Sequence, residues 1–484
     1  MNYRMIVHIL GYVLFFGALF MLAPLLVALY YGEMTVVKAF LWTAIATGAL
    51  AFIFTRKKPV KKDIYAQEGF IIVALAWILL SFLGAFPYFL SDAIPVFLNA
   101  FFESVSGFTT TGLSVITNIE SLPLSIAFWR SLTQWIGGLG VLVFIISIIS
   151  LAGGNSIYLM KAEFAGPTPG KLVPRIGKTA KILCLIYVGM SLAEIILLSV
   201  GGMPLFDSIV TTFSTASTGG FSLKNASIAA YNSIYVENVV TVFMVLFALS
   251  FSFYFLLIMK KFWQALHFEE MWVYVAIIFT SIILVTFNIQ GVIYQNGWES
   301  FHNASFNVVS MMTTGFSNTD TSGWPMFSQF IFFFLMFIGG CAGSTAGGIK
   351  VARILLLVKA ANLEIRKLLH PRAVQSLHFN GKPVDNVTLK GIRAFMVAYF
   401  AVFIISTLII SLDGYDFRTT ISVVSTTINN TGANLGLGSV EGSAHLFSPA
   451  SKIMMMFNML AGRLEFFPIW AMFLPGIWRG VRKN

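Results

Sequence analysis

Apolar runs long enough to cross a lipid bilayer recur along this chain, and they restrict it to folds that satisfy every backbone polar group internally. A helix needs roughly 20 predominantly apolar residues to traverse the hydrocarbon core. Met5–Tyr31, Phe70–Leu90, Ile182–Val200 and Phe395–Leu412 reach that length with hardly a charge. Composition agrees: 57% of the 484 residues are hydrophobic, 11% are charged, and the mean hydropathy is +0.83. A soluble protein of this size needs far more charge to cover its surface. The expectation is an all-α polytopic membrane protein. The first run exceeds the apolar region of about 7–15 residues in a secretory signal and lacks a small-residue cleavage site, so it reads as a retained first transmembrane helix.

The net charge of +11 does not point to nucleic acid, because the basic residues sit in blocks between hydrophobic runs. Those blocks are Arg56–Lys62, Lys161–Lys181, Lys260–Lys261, Lys350–Arg393 and Arg479–Lys483. Placing them on one side puts about 25 of the 31 Lys and Arg inside, with both termini cytoplasmic. The opposite side becomes acidic, with Asp92, Glu103, Glu120, Asp207, Glu237, Glu299, Asp320, Asp413, Asp416 and Glu441, which would concentrate cations there. Ordinary topology signals and solvated loops explain the basic blocks completely and the acids in part. Cys184 and Cys341 lie in apolar segments without a CxxC partner or a His cluster, so disulfide and zinc roles are not expected.

A second pattern is internal repetition. Four segments lead from a hydrophobic helix into a shorter Ser/Thr-rich stretch ending in Thr-Gly: Ala100–Gly112, Asp207–Gly219, Asn303–Gly315 and Thr420–Gly432. Their glycines are 107, 96 and 117 residues apart by subtraction. A fifth Thr-Gly, Thr47–Gly48, falls outside the pattern. The implied organisation is a leading helix pair (residues 1–60) followed by four units at 64–155, 175–262, 270–360 and 386–480. Each unit is an outer helix, a re-entrant segment and an inner helix. Units that cross twice keep one orientation, so four parallel units can surround a central ion pore.

Non-helical backbone at membrane depth survives only in a protein interior or beside a water-filled cavity. A polar half-helix ending in glycine fits that requirement, since glycine lets carbonyl oxygens turn toward one axis. Thr111, Gly112, Thr218, Gly219, Thr314, Gly315, Thr431 and Gly432 would then supply rings of oxygens to a K+-sized ion. The C-terminal ends of the half-helices favour a cation at the same place. The competing interpretation is ordinary loops with turn glycines.

Two further features stand out. Gly339, Gly340, Gly343, Ser344, Thr345, Gly347 and Gly348, closed by Lys350, interrupt an apolar helix between Phe330–Ile338 and Ile349–Val358. Five glycines, each costing about 1 kcal/mol relative to alanine, predict an unwound segment. It reads as a mobile break in the helix or as a close helix-packing surface; it does not match a phosphate-binding loop. Arg463 falls near the middle of the expected helix Met454–Phe473, where a charge costs about 2.5–3.5 kcal/mol and must face the bundle interior or water. It reads as a positive barrier in the pore, or as a partner of Glu465 or of backbone carbonyls. Lys350 reads as a gate residue or an interfacial anchor.

The Thr-Gly units, the QWIGGLG run at Gln134–Gly140, GGCAGSTAGGIK at Gly339–Lys350, HPRAV at His370–Val374 and GRLEFF at Gly462–Phe467 together resemble the Trk/Ktr/HKT superfamily of potassium transporters. The chain is most similar to its bacterial TrkH-type membrane subunit. The resemblance spans the chain and implies a K+ filter with one glycine per repeat, an intramembrane loop at Gly339–Lys350 obstructing the pore, and Arg463 at the pore. It further implies a homodimer in the bacterial inner membrane and a cytosolic nucleotide-binding ring of the TrkA type. The basic segment Glu364–Arg393 is the place where such a partner could dock, or a plain positive-inside loop. Nothing in the chain looks like a nucleotide site, and no cofactor is expected besides K+ itself. Without the full TVGYG of classical potassium channels, a less regular filter is expected.

The competing transport class is a symporter coupled to H+ or Na+, which shares broken helices at the midplane. Parallel repeats and scarce intramembrane carboxylates, Glu194 excepted, speak against it. An enzyme is not expected, since no paired His, Cys or carboxylate constellation occurs on adjacent helix turns.

Overall fold

The computed structural model describes residues 2–56, 59, 66–140, 176–370, 376–433, 435 and 443–473. They are almost entirely helical, with one antiparallel two-stranded hairpin pairing His378–Phe379 with Lys382–Pro383. Residues 141–155 of the first unit, most of the basic block 161–181, residues 371–374 of the HPRAV run and the basic block 479–483 lie outside the described residues.

Among the described residues, six helical spans are long and apolar enough to cross a membrane: Tyr3–Tyr31, Met34–Thr55, Glu68–Leu90, Ala180–Val200, Glu269–Ile289 and Asn386–Asp413. The first two form the leading pair. They approach closely at Gly11, where an added Cβ would lie 2.7 Å from the Thr55 side chain. The first is interrupted at Met21, three residues before Pro24, whose ring excludes the carbonyl four residues back. Phe40 of the second packs edge-on against Trp129, tying the pair to the rest of the molecule.

Each of the other four spans opens a unit. It is followed by a short pore helix, namely Phe97–Phe108, Leu205–Ala216, Gly297–Thr313 and Phe417–Asn429. At 1.5 Å per residue these are too short to span the bilayer. Their Ser and Thr are nonetheless buried, so each hydroxyl needs a partner inside the protein. For four of them the backbone supplies it: Thr109, Thr215, Thr313 and Thr427 donate to the carbonyls of Val105, Thr211, Val309 and Val423, one turn back.

A trailing helix completes each unit: Leu124–Leu139, Ile234–Phe247, Met326–Ile338 and Pro449–Arg463. The sequence pattern predicts an interruption in the third only. The structure interrupts the second and fourth as well. The second resumes at Phe251–Ile258 after a bend of 87°. The fourth stops at Arg463 and resumes at Phe467, with Glu465 and Phe466 at φ 55° and 67°. Arg463 therefore ends a helix rather than occupying the middle of one. The interruptions persist because tertiary partners take the freed backbone groups. Ala248 O accepts from Cys341 N at 2.9 Å, and Phe251 N donates to Gly343 O at 3.0 Å.

Beyond the third interruption, Val351–Leu369 buries Ala352, Leu356 and Ala360 against Leu377 and Phe379 of the hairpin segment. Cys184 and Cys341 are free thiols.

Candidate functional site

At the C-terminal end of each pore helix the chain turns back, and the four turns meet. Gly112, Gly220, Gly315 and Gly432 have φ of 82°, 76°, 91° and 66°. A Cβ added to any of them would strike the neighbouring turn. On Gly112 it overlaps the Gly219 carbonyl, and on Gly220 the Thr314 carbonyl. On Gly315 it comes within 2.7 Å of the Thr431 oxygen, and on Gly432 within 2.8 Å of both the Thr111 and the Thr314 oxygens. The contacts run from first to second to third to fourth unit and back to the first. Left-handed backbone and lack of room both demand glycine at these four points.

This ring contains Thr111, Gly112, Gly219, Thr314, Gly315, Thr431 and Gly432, but the second unit is shifted by one residue. Gly220 holds the left-handed place that Gly112 and Gly432 hold. Gly219 stands where the others have Thr111, Thr314 and Thr431. Thr218, at φ 55°, matches Thr110 at 57° and Asn430 at 52°. Thr-Gly spacing alone selects Gly219 and misses Gly220. The signal that finds it is the Gly-Phe-Ser following both turns, at Gly220–Ser222 and Gly315–Ser317. The threonine hydroxyls bond sideways, Thr111 with Thr109 at 2.8 Å and Thr314 with Thr313 at 3.0 Å.

A cavity lies on each side of the ring. One, of about 380 Å³, touches all four glycines, Gly112, Gly220, Gly315 and Gly432. The other, of about 90 Å³, is lined by Gly347, Lys350, Asn430 and Arg463. The narrow side is where the glycine-rich loop sits. Gly348 N donates to Asn429 O of the fourth pore helix at 2.9 Å, and a Cβ on Gly347 would collide with that same carbonyl. Gly339 packs onto Gly347 and Gly348, folding the loop on itself. Gly340 abuts Ala248 O, and Ser344 donates to Cys341 O at 2.6 Å. Thr345 donates to Phe247 O of the second trailing helix.

Arg463 is the junction of this layer. It donates to Thr345 O at 2.8 Å and to Gly137 O at 2.6 Å, in the last turn of the first trailing helix. A guanidinium there meets the partially negative end of that helix. Glu465, one of the partners considered for Arg463, instead pairs with Arg353, whose guanidinium stacks on Phe395 at 4.1 Å. Lys350 is turned inward rather than serving as an interfacial anchor. It donates to Ala346 O at 2.6 Å, and its φ of 78° marks local strain of about 1–3 kcal/mol. Buried Glu270 accepts from Ala352 N at 3.1 Å and from Ala342 N, anchoring both ends of the loop.

A cyclic ring of four pore turns between two cavities, on parallel helical units, is the arrangement of a pore and not of a catalytic site. A family model described as TrkH, a cation transport protein, matches residues 32–477. The chain belongs to the TrkH family. This transporter is 36% identical, over 99% of its length and all of the relative's, to the Trk system potassium uptake protein TrkH of Escherichia coli (strain K12). It is 35% identical to the Trk system potassium uptake protein TrkG of the same strain, with 98% and 99% of the two chains covered. The crystal structure of the potassium transporter TrkH from Vibrio parahaemolyticus superposes with a TM-score of 0.88 at 32% identity, covering 99% of this chain and 100% of that one. The transporter is thus a multi-pass membrane protein and not an enzyme.

Two polar groups behind the ring have no counterpart in the expected site. Glu103, read from sequence as an acid of the exposed mouth, is fully buried in the first pore helix and pairs with Arg130 at 2.8 Å. Its other contacts are Ser114 Oγ and Val115 N, both just past Gly112. Arg130 in the trailing helix carried no repeat signature, which is why motif spacing passes over it.

Proposed function

We propose that this chain is the membrane subunit of a Trk-type potassium uptake system, with K+ as the transported and bound ion. K+ passes through the ring formed by Thr111, Gly112, Gly219, Gly220, Thr314, Gly315, Thr431 and Gly432. The observation that carries this is the closed cycle of glycine-to-carbonyl contacts among the four turns, with a cavity on either side. Rings of backbone oxygens can replace the hydration shell of a monovalent cation. The relatives TrkH and TrkG of Escherichia coli are potassium uptake proteins, which supports the same ion.

Gly339–Lys350 with Arg463 acts as the gate. The loop lies under the fourth pore helix, and Arg463 places a positive charge in the narrow cavity. Opening requires Arg463 to release Thr345 O and the loop to leave Asn429 O. The subunit resides in the bacterial inner membrane with both termini cytoplasmic, and works as a homodimer with a cytosolic nucleotide-binding TrkA-type ring. Units at 64–155, 175–262, 270–360 and 386–480 follow the leading pair at 1–60.

The test is flux of Rb+, K+, Na+ and Li+ through purified protein in liposomes, wild type against Gly315→Ser. Passive K+ and Rb+ flux with selectivity weakened by the substitution is the expected result. A symporter coupled to H+ or Na+ is the second proposal, favoured by the fully buried Glu194 in helix Ile176–Val200. Flux that requires a second ion's gradient, lost in Glu194→Gln, would replace the channel mechanism with that one.

A further inference from the structure

Gln134 opens the QWIGGLG run, and its neighbours have evident packing duties. A Cβ on Gly137 would strike Phe108 O at the end of the first pore helix, and one on Gly138 would lie 2.7 Å from Ser217 Cα in the second unit. Gln134 does something else. Fully buried, it donates from Nε2 to Gly219 O at 2.9 Å and accepts at Oε1 from Phe221 N at 3.2 Å. One carboxamide thus pairs with a carbonyl and an amide that flank Gly220. That pairing leaves a single orientation of the amide, since the two ends need opposite partners.

Four residues earlier, and so on the same helix face, Arg130 donates to Ser222 O at 3.3 Å and stacks over the Phe221 ring at 4.2 Å. Two side chains of the first unit therefore hold the second unit's turn from Gly219 to Ser222. A third observation links Gln134 to the odd register of that turn. A Cβ on Gly219 would lie 2.5 Å from Gln134 Cδ and 2.6 Å from Nε2. Where the other turns carry Thr111, Thr314 and Thr431, the second carries glycine, and the carboxamide of Gln134 fills the vacated space.

We propose that Gln134 is a specificity-determining positioning residue. It replaces the missing threonine side chain of the second turn and fixes the Gly219 carbonyl, which abuts Gly112 in the ring. This rests on the four turns acting as the ion filter. A carbonyl oxygen with one lone pair already tied to a buried side-chain donor resists shifting to fit a smaller ion, so the brace acts on K+ against Na+ and not on the fold alone.

The experiment measures the Rb+/Na+ flux ratio in liposomes for Gln134→Leu, Gly219→Thr, the double variant Gln134→Ala with Gly219→Thr, and Gly315→Ser. Gln134→Leu keeps the volume, loses both hydrogen bonds, and is expected to lower the ratio about fivefold at normal protein yield. Gly219→Thr alone is expected to abolish Rb+ flux, and removing the Gln134 amide in the double variant to restore it. A ratio unchanged in Gln134→Leu while Gly315→Ser lowers it would overturn the role of Gln134 and leave the filter standing. A ratio indifferent to both would overturn the filter itself. If Gln134→Leu fails to fold, the double variant decides, and no recovery over Gly219→Thr overturns the proposal.

Discussion

Arg463 Nη2 donates to the carbonyl oxygen of Gly137 at 2.6 Å, joining the last turns of the helices Pro449–Arg463 and Leu124–Leu139 beside the narrow cavity. Its other donor holds Thr345 O of the glycine-rich loop. Hydrogen bonds to a charged group contribute about 1.5–3 kcal/mol each. Arg463→Ala is therefore predicted to favour loop displacement and raise basal Rb+ flux in liposomes by at least tenfold. Arg463→Lys, with one compact donor instead of a fork, is predicted to fall between. Unchanged flux in Arg463→Ala would remove this side chain from the gate.

Gly347 offers a separate handle on the same loop. Any Cβ there collides with Asn429 O, and the clash is with backbone, which cannot swing aside. Gly347→Ala is predicted to push the loop from beneath the fourth pore helix and leave flux elevated without a regulatory partner. Gly391, in helix Asn386–Ile410, has nothing within 4 Å of an added Cβ. Gly391→Ala should leave flux at the wild-type level and raise thermal stability by about 1 kcal/mol or less. Equal behaviour of the two variants would rule out crowding at Asn429 as the cause.

Asp385 caps the helix Asn386–Ile410, accepting from Thr388 N at 2.9 Å. Hydrogen bonding from Thr388 holds its carboxyl below the ordinary value of 3.8. A depressed carboxyl contributes stability that is present above the unfolded value and disappears as pH falls through the folded one. Amide exchange at Thr388 and Leu389 is thus predicted to quicken relative to the helix interior only below about pH 4. Asp385→Asn keeps an acceptor without the titration and should flatten that dependence. Hydrogen-exchange mass spectrometry between pH 3 and 7 reads both.

Much of this architecture is written in local pattern. Apolar length marks the six spans, and the polar stretches before Thr-Gly mark the pore helices, because a Ser/Thr-rich segment too short to span belongs in a protein interior, where several of its hydroxyls turn back on their own backbone. Gly339–Gly348 announces its interruption through glycine content. The breaks at Ala248–Ser250 and Leu464–Phe466 carry no such composition. The first persists because Cys341, Gly343 and Thr345 supply partners from another unit, which no window of sequence contains, and the second is flanked by Arg463, whose side chain reaches Thr345 O and Gly137 O in other units. Gly220 is easily missed for a related reason, since Thr218–Gly219 satisfies the spacing and the side chain that fills the space beside Gly219, Gln134, comes from the preceding unit. Glu103 reads as an acid of the exposed mouth, and Arg130 draws no reading at all, until the helices that bury them are assembled.

That pair yields the last prediction. Glu103 and Arg130 are almost completely inaccessible, at 0% and 1% exposure, so neither charge can fall back on water if its partner is removed. Breaking a buried pair from one side costs about 3–5 kcal/mol, whereas replacing both ions with neutral groups of similar size costs far less. Glu103→Gln and Arg130→Met are each predicted to lower the unfolding temperature in detergent sharply, and the double variant to recover most of the loss. The double variant should still conduct with reduced K+ preference, because Ser114, Val115 and Ser222 lose the brace that holds two of the four turns. Additive losses in the double variant would mean that the two side chains stabilise the first and second turns independently and that their ion pair carries little of the coupling.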